Sequence, residues 1–336
     1  MNAREPKPDW HDVPEALREK LSALVGSPIA TADIVWGGYG PSATFALTTA
    51  AGSRFFCKGT HPGQTELGHK ALIRERENYA RFPELSQFGP AYRGGVDHGD
   101  WHMAVLDYVP RRHSVPPWSR RAVDETLKLI ADFHSASPGH AAAVLPSVTS
   151  TGFVKLERGW GTLLNDAEAR DRFLALFVDG AAAAHWFAAH GERLAETELR
   201  SASLDGPESW LHQDIRSDNI VFAERPMLVD WPMLSYGATL IDVAAFLPSL
   251  EGEGGPRCAD GLRLYEEMAG LAFGEDSVAI AATTVAGFFA ARAGEPQIVG
   301  LPRLRWIQAL QLLPALRWLY DCLDIDAPPM LRTLDA

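Results

Sequence analysis

The spacing of apolar positions changes character twice along the chain. Val13, Leu17, Leu21 and Leu24 recur at helical spacing and stop at Gly26, and Asp12 followed by Pro14 and Glu15 reads as a capped helix start. From Ala32 to Lys58 the apolar runs shorten to strand length. Ile34-Val35, Thr44-Phe45-Ala46-Leu47 and Arg54-Phe55-Phe56-Cys57-Lys58 are separated by Gly37-Gly38-Tyr39-Gly40 and by Ala51-Gly52-Ser53, so three short strands with glycine turns are predicted. Residues 66–82 predict a helix closed by Pro83, and two further strands, 92–96 and 101–109, flank the turn His98-Gly99-Asp100. The polar, proline-containing stretch 111–118 reads as a hinge.

Beyond it helical periodicity takes over. Val123, Leu127, Ile130 and His134 mark one helix face, and further helices are predicted over 166–178, 181–199, 261–271, 278–291 and 302–323. The stretch from Trp306 to Trp318, with Leu310, Leu313 and Leu316, reads as core. One island, 210–239, lacks helical spacing and carries short apolar runs at 219–222 and 227–229. The expected architecture is α+β: a small β-rich N-terminal lobe over 1–110 and a larger, mainly helical lobe over 111–336.

Composition narrows the classes of function. A chain of 336 residues that is 46% hydrophobic has ample core for two lobes and is not a disordered polymer. Its net charge of −12, with no local basic stripe, argues against nucleic acid as a partner. Cys57, Cys258 and Cys322 are sparse, odd in number and without metal-like spacing, which points to a reducing compartment. Cys57, inside an apolar run, reads as a buried inert thiol. The pairs His61/His69 and His98/His102 lack the neighbours a metal site would need. The first residues lack the apolar core of a signal peptide, and 278–291 is too short to span a bilayer. A cytoplasmic protein without membrane contact, monomeric or homodimeric, is therefore expected.

The chemistry gathers in the island, which reads Leu-His212-Gln-Asp214-Ile-Arg216-Ser-Asp218-Asn219 and, after a short interval, Val-Asp230-Trp-Pro. Phosphoryl transfer to an alcohol needs a carboxylate free of metal to orient the hydroxyl and take its proton. It also needs hard oxygen ligands for Mg²⁺ on the phosphates. Asp214 can serve as the first, and Asn219 with Asp230 as the second if the chain folds back between them as a hairpin. H-x-D-x-x-x-x-N followed by an aspartate at a strand end is the kinase arrangement of catalytic loop and metal aspartate. Arg216 and Asp218 read as a local salt bridge more readily than as phosphate contacts.

On His212, Asp214, Asn219 and Asp230 the chain resembles the aminoglycoside phosphotransferase and choline kinase-like family of small-molecule kinases, over most of residues 30–325. The resemblance implies a protein-kinase-like two-lobed fold, with Asp214 as catalytic base and Asn219 and Asp230 as Mg²⁺ ligands. It implies that Lys58 holds the nucleotide phosphates, paired with a helix glutamate. Glu75 and Glu77 both qualify, and Glu75 is preferred because Tyr79 and Phe82 follow it along an apolar seam. Backbone near Gly38 and Ser42 would cover phosphates, and backbone at Asp107 and Val109 would meet the adenine. Asp242 matches the family's structural aspartate that braces the catalytic loop.

Three departures from the pattern stand out. Trp231 and Pro232 replace the usual phenylalanine and glycine, which argues against a flipping segment, and Gln213 replaces a common glycine, a change read as neutral. The expected function is transfer of the γ-phosphate of ATP or GTP to an aminoglycoside-like or other hydroxylated antibiotic. The acidic residues Glu251, Glu253, Glu266 and Glu267 would favour a cationic acceptor. A metabolic kinase for a sugar, choline-like alcohol or hydroxy amino acid is the alternative within enzymes. A nucleotide-binding pseudoenzyme is the alternative outside them, although it would be expected to lose Asp214, Asn219 or Asp230. The short interval from Asp230 to Asp242 leaves no room for a protein-kinase activation loop.

Overall fold

Alternation along three strands decides how the N-terminal part packs. In the computed structural model, which describes residues 6–38, 40–149 and 158–332, Met103 and Val105 face one side of a sheet while Ala104 and Leu106 face the other. The sheet comprises β1 (Ile29–Ile34), β2 (Ala43–Thr49), β3 (Arg54–Thr60), β4 (Tyr92–His98) and β5 (Trp101–Asp107). Its order is β1-β2-β3-β5-β4, antiparallel throughout. One face buries Phe45, Leu47, Cys57 and Met103 against Val13, Leu17 and Leu21 at the start and along the helix α1 (Glu15–Leu24). The opposite face meets α2 (Glu66–Arg81), whose buried positions Leu72, Glu75, Asn78 and Tyr79 fall three and four residues apart. Lys58 lies opposite Thr44 on one neighbour and Ala104 on the other, so its side chain emerges on the α2 face. A Cβ on the adjacent Gly59 would lie 2.7 Å from the His102 carbonyl oxygen on β5, a backbone contact too close for any other residue at this strand spacing.

The helical part contains α3 (Arg120–Ser135), the single turn α4 (Ala141–Val144), α5 (Gly159–Asn165), α6 (Ala167–Leu174) and α7 (Gly180–Leu199), followed by α8 (Thr239–Gly252), α9 (Cys258–Ala269), α10 (Glu275–Arg292) and α11 (Leu304–Leu323). Between α7 and α8 the polar island folds as two small ladders. β6 (Glu208–Leu211) pairs with β9 (Ser235–Ala238), and β7 (Ile220–Phe222) with β8 (Pro226–Leu228). The β7–β8 hairpin is the fold-back expected between 219 and 230. The α+β class and the kinase-like arrangement of sheet and helices are thus as expected, and among the described residues no helix is long and apolar enough to cross a membrane.

Several local expectations are corrected. The capped turn is Trp10–Asp12, where the Asp12 carboxylate accepts from the Asp9 N–H at 2.8 Å, and α1 starts at Glu15 without a side-chain cap. The first strand ends at Ile34 rather than centring on it. α5 was not expected, because Gly159 and Gly161 are poor helix formers. Its start is held instead by the buried Glu198 carboxylate, which accepts from the N–H groups of Gly159 at 2.7 Å and Trp160 at 3.1 Å. Leu313 is 47% exposed, while Leu316 and Trp318 are buried. Cys57 is buried as expected, with its thiol pushed up to about 12 by desolvation. Among the described residues no cluster of His, Cys, Asp and Glu suits a metal ion by itself.

Candidate active site

One carboxylate on α2 ties the sheet to the island. Glu75 Oε2 accepts from Lys58 Nζ at 2.8 Å, and Glu75 Oε1 accepts from the backbone N–H of Trp231 at 3.3 Å. Lys58 Nζ also donates to Asp230 Oδ1 at 2.6 Å. Burial alone would lower the Lys58 ammonium, but Asp230 and Glu75 outweigh it and hold it above the usual lysine value. Burial would likewise raise Asp230, and Lys58 overrides that to hold it low, whereas Glu75 is pushed up by desolvation. Glu77, the other candidate partner, is exposed.

The segment after Asp230 is pinned. Trp231 is fully buried, its carbonyl accepts from Asn78 Nδ2 at 2.8 Å, and its ring packs on His212 with centroids 4.6 Å apart. These anchors fit the departure from a flipping motif. Asp230 itself sits at φ 74°, a left-handed backbone that costs a non-glycine residue about 1 kcal/mol or more and that its pairing with Lys58 helps to hold.

The catalytic-loop backbone hangs from Asp242. This buried carboxylate accepts from the N–H of His212 at 2.8 Å and of Gln213 at 2.5 Å, and His134 Nε2 lies 3.1 Å from it. His134 Nδ1 in turn meets the Tyr265 hydroxyl at 2.8 Å. Burial pushes the His212 imidazole below its usual value. Its Nε2–H donates to the Val229 carbonyl at 3.0 Å, leaving Nδ1 to accept from the Asp214 N–H at 3.3 Å. Gln213 is not neutral, because its φ of 62° is a conformation glycine adopts freely. The glutamine keeps it by hydrogen-bonding its amide to Ser235 and to the Met233 carbonyl.

Asp214 and Asn219 meet directly. Asn219 Nδ2 donates to the Asp214 carbonyl at 2.8 Å and to Asp214 Oδ2 at 3.0 Å. Arg216 spans the two neighbouring aspartates, 3.1 Å from Asp214 Oδ1 and 3.1 Å from Asp218 Oδ1, which is the local salt bridge expected. Desolvation dominates the electrostatics of Asp214: it raises the carboxyl to about 7, against the lowering pull of Arg216. The side chain nevertheless keeps 34% of its surface, so it opens onto space a second molecule can enter.

Two cavities are lined by residues of this loop. A cleft of about 320 Å³ between sheet and island is lined by Gly38, Lys58, Glu75, Asp107, Val109, Asp218, Asn219 and Asp230. Its apolar walls, including Trp36, Phe56, Tyr79, Leu106 and Val221, were not anticipated, although Phe56 sits two positions before Lys58 on the same strand face. Ser42 is not among the residues lining the cleft, and its Oγ accepts from Gln64 at 3.1 Å. Asp107 offers backbone only, its carboxylate being held bidentately by Arg93 at 2.6 Å. Tyr39 lies outside the described residues. A second cavity of about 270 Å³ is lined by Asp214 and Arg216.

The acids read as favouring a cationic acceptor are engaged elsewhere. Glu251 pairs with Arg317 at 2.5 Å, Glu253 accepts from Ser217 at 2.6 Å, Glu266 from the Phe273 N–H at 2.7 Å, and Glu267 from Arg263 at 2.7 Å. None of them lines either cavity.

A lysine–glutamate pair, a braced H-x-D loop and a hairpin ending in an aspartate around one cleft can be set beside known proteins. The model of the phosphotransferase enzyme family matches residues 32–279. This chain belongs to that family. Solved structures agree on the fold. An aminoglycoside-3′-phosphotransferase of type VIII is 21% identical with a TM-score of 0.51, covering 82% of this chain and 100% of its own. A spectinomycin phosphotransferase, solved with ADP and spectinomycin, is 13% identical with a TM-score of 0.58, covering 93% and 98%. A Thermobifida fusca protein described as a fructosamine-3-kinase is 16% identical with a TM-score of 0.55, covering 90% and 99%. Comparison with curated proteins gives no match. At these identities the structural likeness carries the fold of the phosphotransferase and leaves its acceptor open.

Proposed function

We propose that this phosphotransferase moves the γ-phosphate of ATP or GTP onto a hydroxyl of a small molecule, a hydroxylated antibiotic or comparable alcohol, with Asp214 as the catalytic base. One observation carries the reading: Asp214 lines the second cavity and is bonded to an asparagine that lines the cleft holding Lys58 and Asp230. In this reading the N-terminal lobe, 1–110, holds nucleotide and residues 111–336 supply catalysis and the acceptor site. The cleft's apolar walls suit a purine, with backbone at Asp107 and Val109 along its edge, and Lys58 and the backbone at Gly38 suit its phosphates.

Asn219 and Asp230 offer a neutral and an anionic hard oxygen within one cleft, a donor set that fits Mg²⁺ completed by phosphate oxygens. Bound there, Mg²⁺ would neutralise charge on the triphosphate. The protein's own part is positional and acid–base. Asp214 orients the acceptor hydroxyl and takes its proton as that oxygen bonds to the γ-phosphorus and the bond to the leaving diphosphate breaks. A carboxyl near 7 suits a base acting around neutrality.

The test is an ADP- and GDP-release screen of purified protein against hydroxylated antibiotics, sugars and amino alcohols. Acceptor-dependent diphosphate release that disappears in Asp214→Ala, with nucleotide binding kept, supports the proposal. Near wild-type release by Asp214→Ala contradicts it.

A further inference from the structure

The second cavity has a chemistry of its own. It is walled by Met233, by Phe288 and Phe289 of α10, by Ile307, Gln308 and Gln311 of α11, and by Asp214. Among the described residues its ionisable lining groups are Asp214 and Arg216, and these already pair with each other at 3.1 Å. The wall therefore offers one carboxylate and one guanidinium, a formal sum of zero, and no unpaired acid. An ammonium group entering such a space loses water and meets only a carboxylate that Arg216 already holds, so its desolvation is poorly repaid, at a cost of several kcal/mol per charge. Apolar carbon, by contrast, gains by covering the two phenylalanines and Ile307. The polar marks left are amides. Gln311 is 4% exposed and lines the cavity, and its side chain makes no hydrogen bond to another described residue, while Gln308 Oε1 accepts from Arg305 at 2.8 Å and leaves its NH₂ for another partner. Amides of this kind match hydroxyl and carbonyl groups, which both donate and accept without carrying charge.

We infer that the acceptor is an uncharged hydroxylated molecule with an apolar face, seated on Phe288 and Ile307, with its polar edge read by Gln311 and its reacting hydroxyl at Asp214. This inference rests on Asp214 being the proton acceptor. It narrows the acceptors away from polycationic amino sugars.

The experiment titrates calorimetrically a panel of neutral aryl and alkyl glycosides against the polycation kanamycin, at low salt with Mg²⁺ and ADP present. In the same preparations Mg²⁺–ADP affinity is measured separately, so a failed nucleotide site is told apart from a wrong acceptor class. The expected result is a neutral glycoside binding at least about tenfold more tightly than kanamycin, a difference of about 1.4 kcal/mol. Phe288→Ala weakens that glycoside about tenfold, and Gln311→Glu strengthens kanamycin, each with unchanged Mg²⁺–ADP affinity. Phe288 is half-buried, and the unchanged Mg²⁺–ADP affinity of Phe288→Ala is the sign that its fold is kept. Kanamycin binding as tightly as the best neutral compound, or no neutral compound binding below about 10 mM, overturns the inference.

Discussion

Replacing Asp242 by asparagine tests how the catalytic loop is held. The carboxylate satisfies two buried backbone donors, the N–H groups of His212 and Gln213, and also faces His134. Asparagine keeps one acceptor oxygen and turns an NH₂ toward the other donor, so one N–H and the new NH₂ are left buried against each other. Each unsatisfied buried donor costs about 1–3 kcal/mol, which gives a loss of about 3 kcal/mol in all. At roughly 2 °C per kcal/mol for a chain of this size, the thermal midpoint falls by about 6 °C. The loop also loses its register, and a misplacement of about 1 Å at Asp214 lowers kcat on the order of a hundredfold.

Urea denaturation followed by the fluorescence of the buried Trp210 and Trp231 measures the first effect, and steady-state kinetics with Mg²⁺–ADP calorimetry the second. The expected outcome is a lower urea midpoint at unchanged slope, together with reduced kcat and nearly unchanged nucleotide affinity. A variant of wild-type stability that has lost all activity would instead put Asp242 in the chemistry. One unchanged in both would refute the brace.

Other consequences follow from the same geometry. Because Asp214 is raised from 3.8 to about 7, kcat/KM should climb as pH rises through about 7. A folded pKa above the unfolded value means that the wild type loses stability as pH rises from about 4 to 7, so Asp214→Asn should gain stability relative to wild type at pH 8, and a relative loss there contradicts this. Glu75→Gln should weaken ATP binding about tenfold, seen by calorimetry, because Lys58 then leans on Asp230 alone. Asp230→Ala should abolish the Mg²⁺ dependence of nucleotide binding, and unchanged dependence counts against its role. Gln213→Gly should be more stable than Gln213→Ala by about 1 kcal/mol in urea, since both lose the amide's hydrogen bonds and only alanine keeps the left-handed strain.

The readable parts of this chain were those encoded locally. Alternation and glycine turns exposed the sheet, and fixed offsets among His212, Asp214, Asn219 and Asp230 exposed the loop and hairpin. Even the choice of Glu75 over Glu77 followed from the seam through Tyr79, which the structure buries while Glu77 stays exposed. What stayed hidden depends on distant segments meeting. The pairing of β6 with β9 joins strands that flank the whole island, and its register is set by tertiary packing. The second cavity is built where Phe288 and Ile307, on separate helices, come to face Asp214, and no spacing within either helix announces this. The left-handed backbone at Gln213 was invisible because the residue there is not glycine and the hydrogen bond that holds it reaches Ser235.

Burst-scale turnover by Asp214→Asn is the sharpest measure of the account. Under single-turnover conditions, with saturating acceptor and Mg²⁺–ATP affinity determined on the same sample, ATP should bind about as tightly as to wild type while phosphoryl transfer falls by at least about a hundredfold. Transfer within a few-fold of wild type would show that another group takes the acceptor's proton, and the reading of this site as built around Asp214 would be wrong.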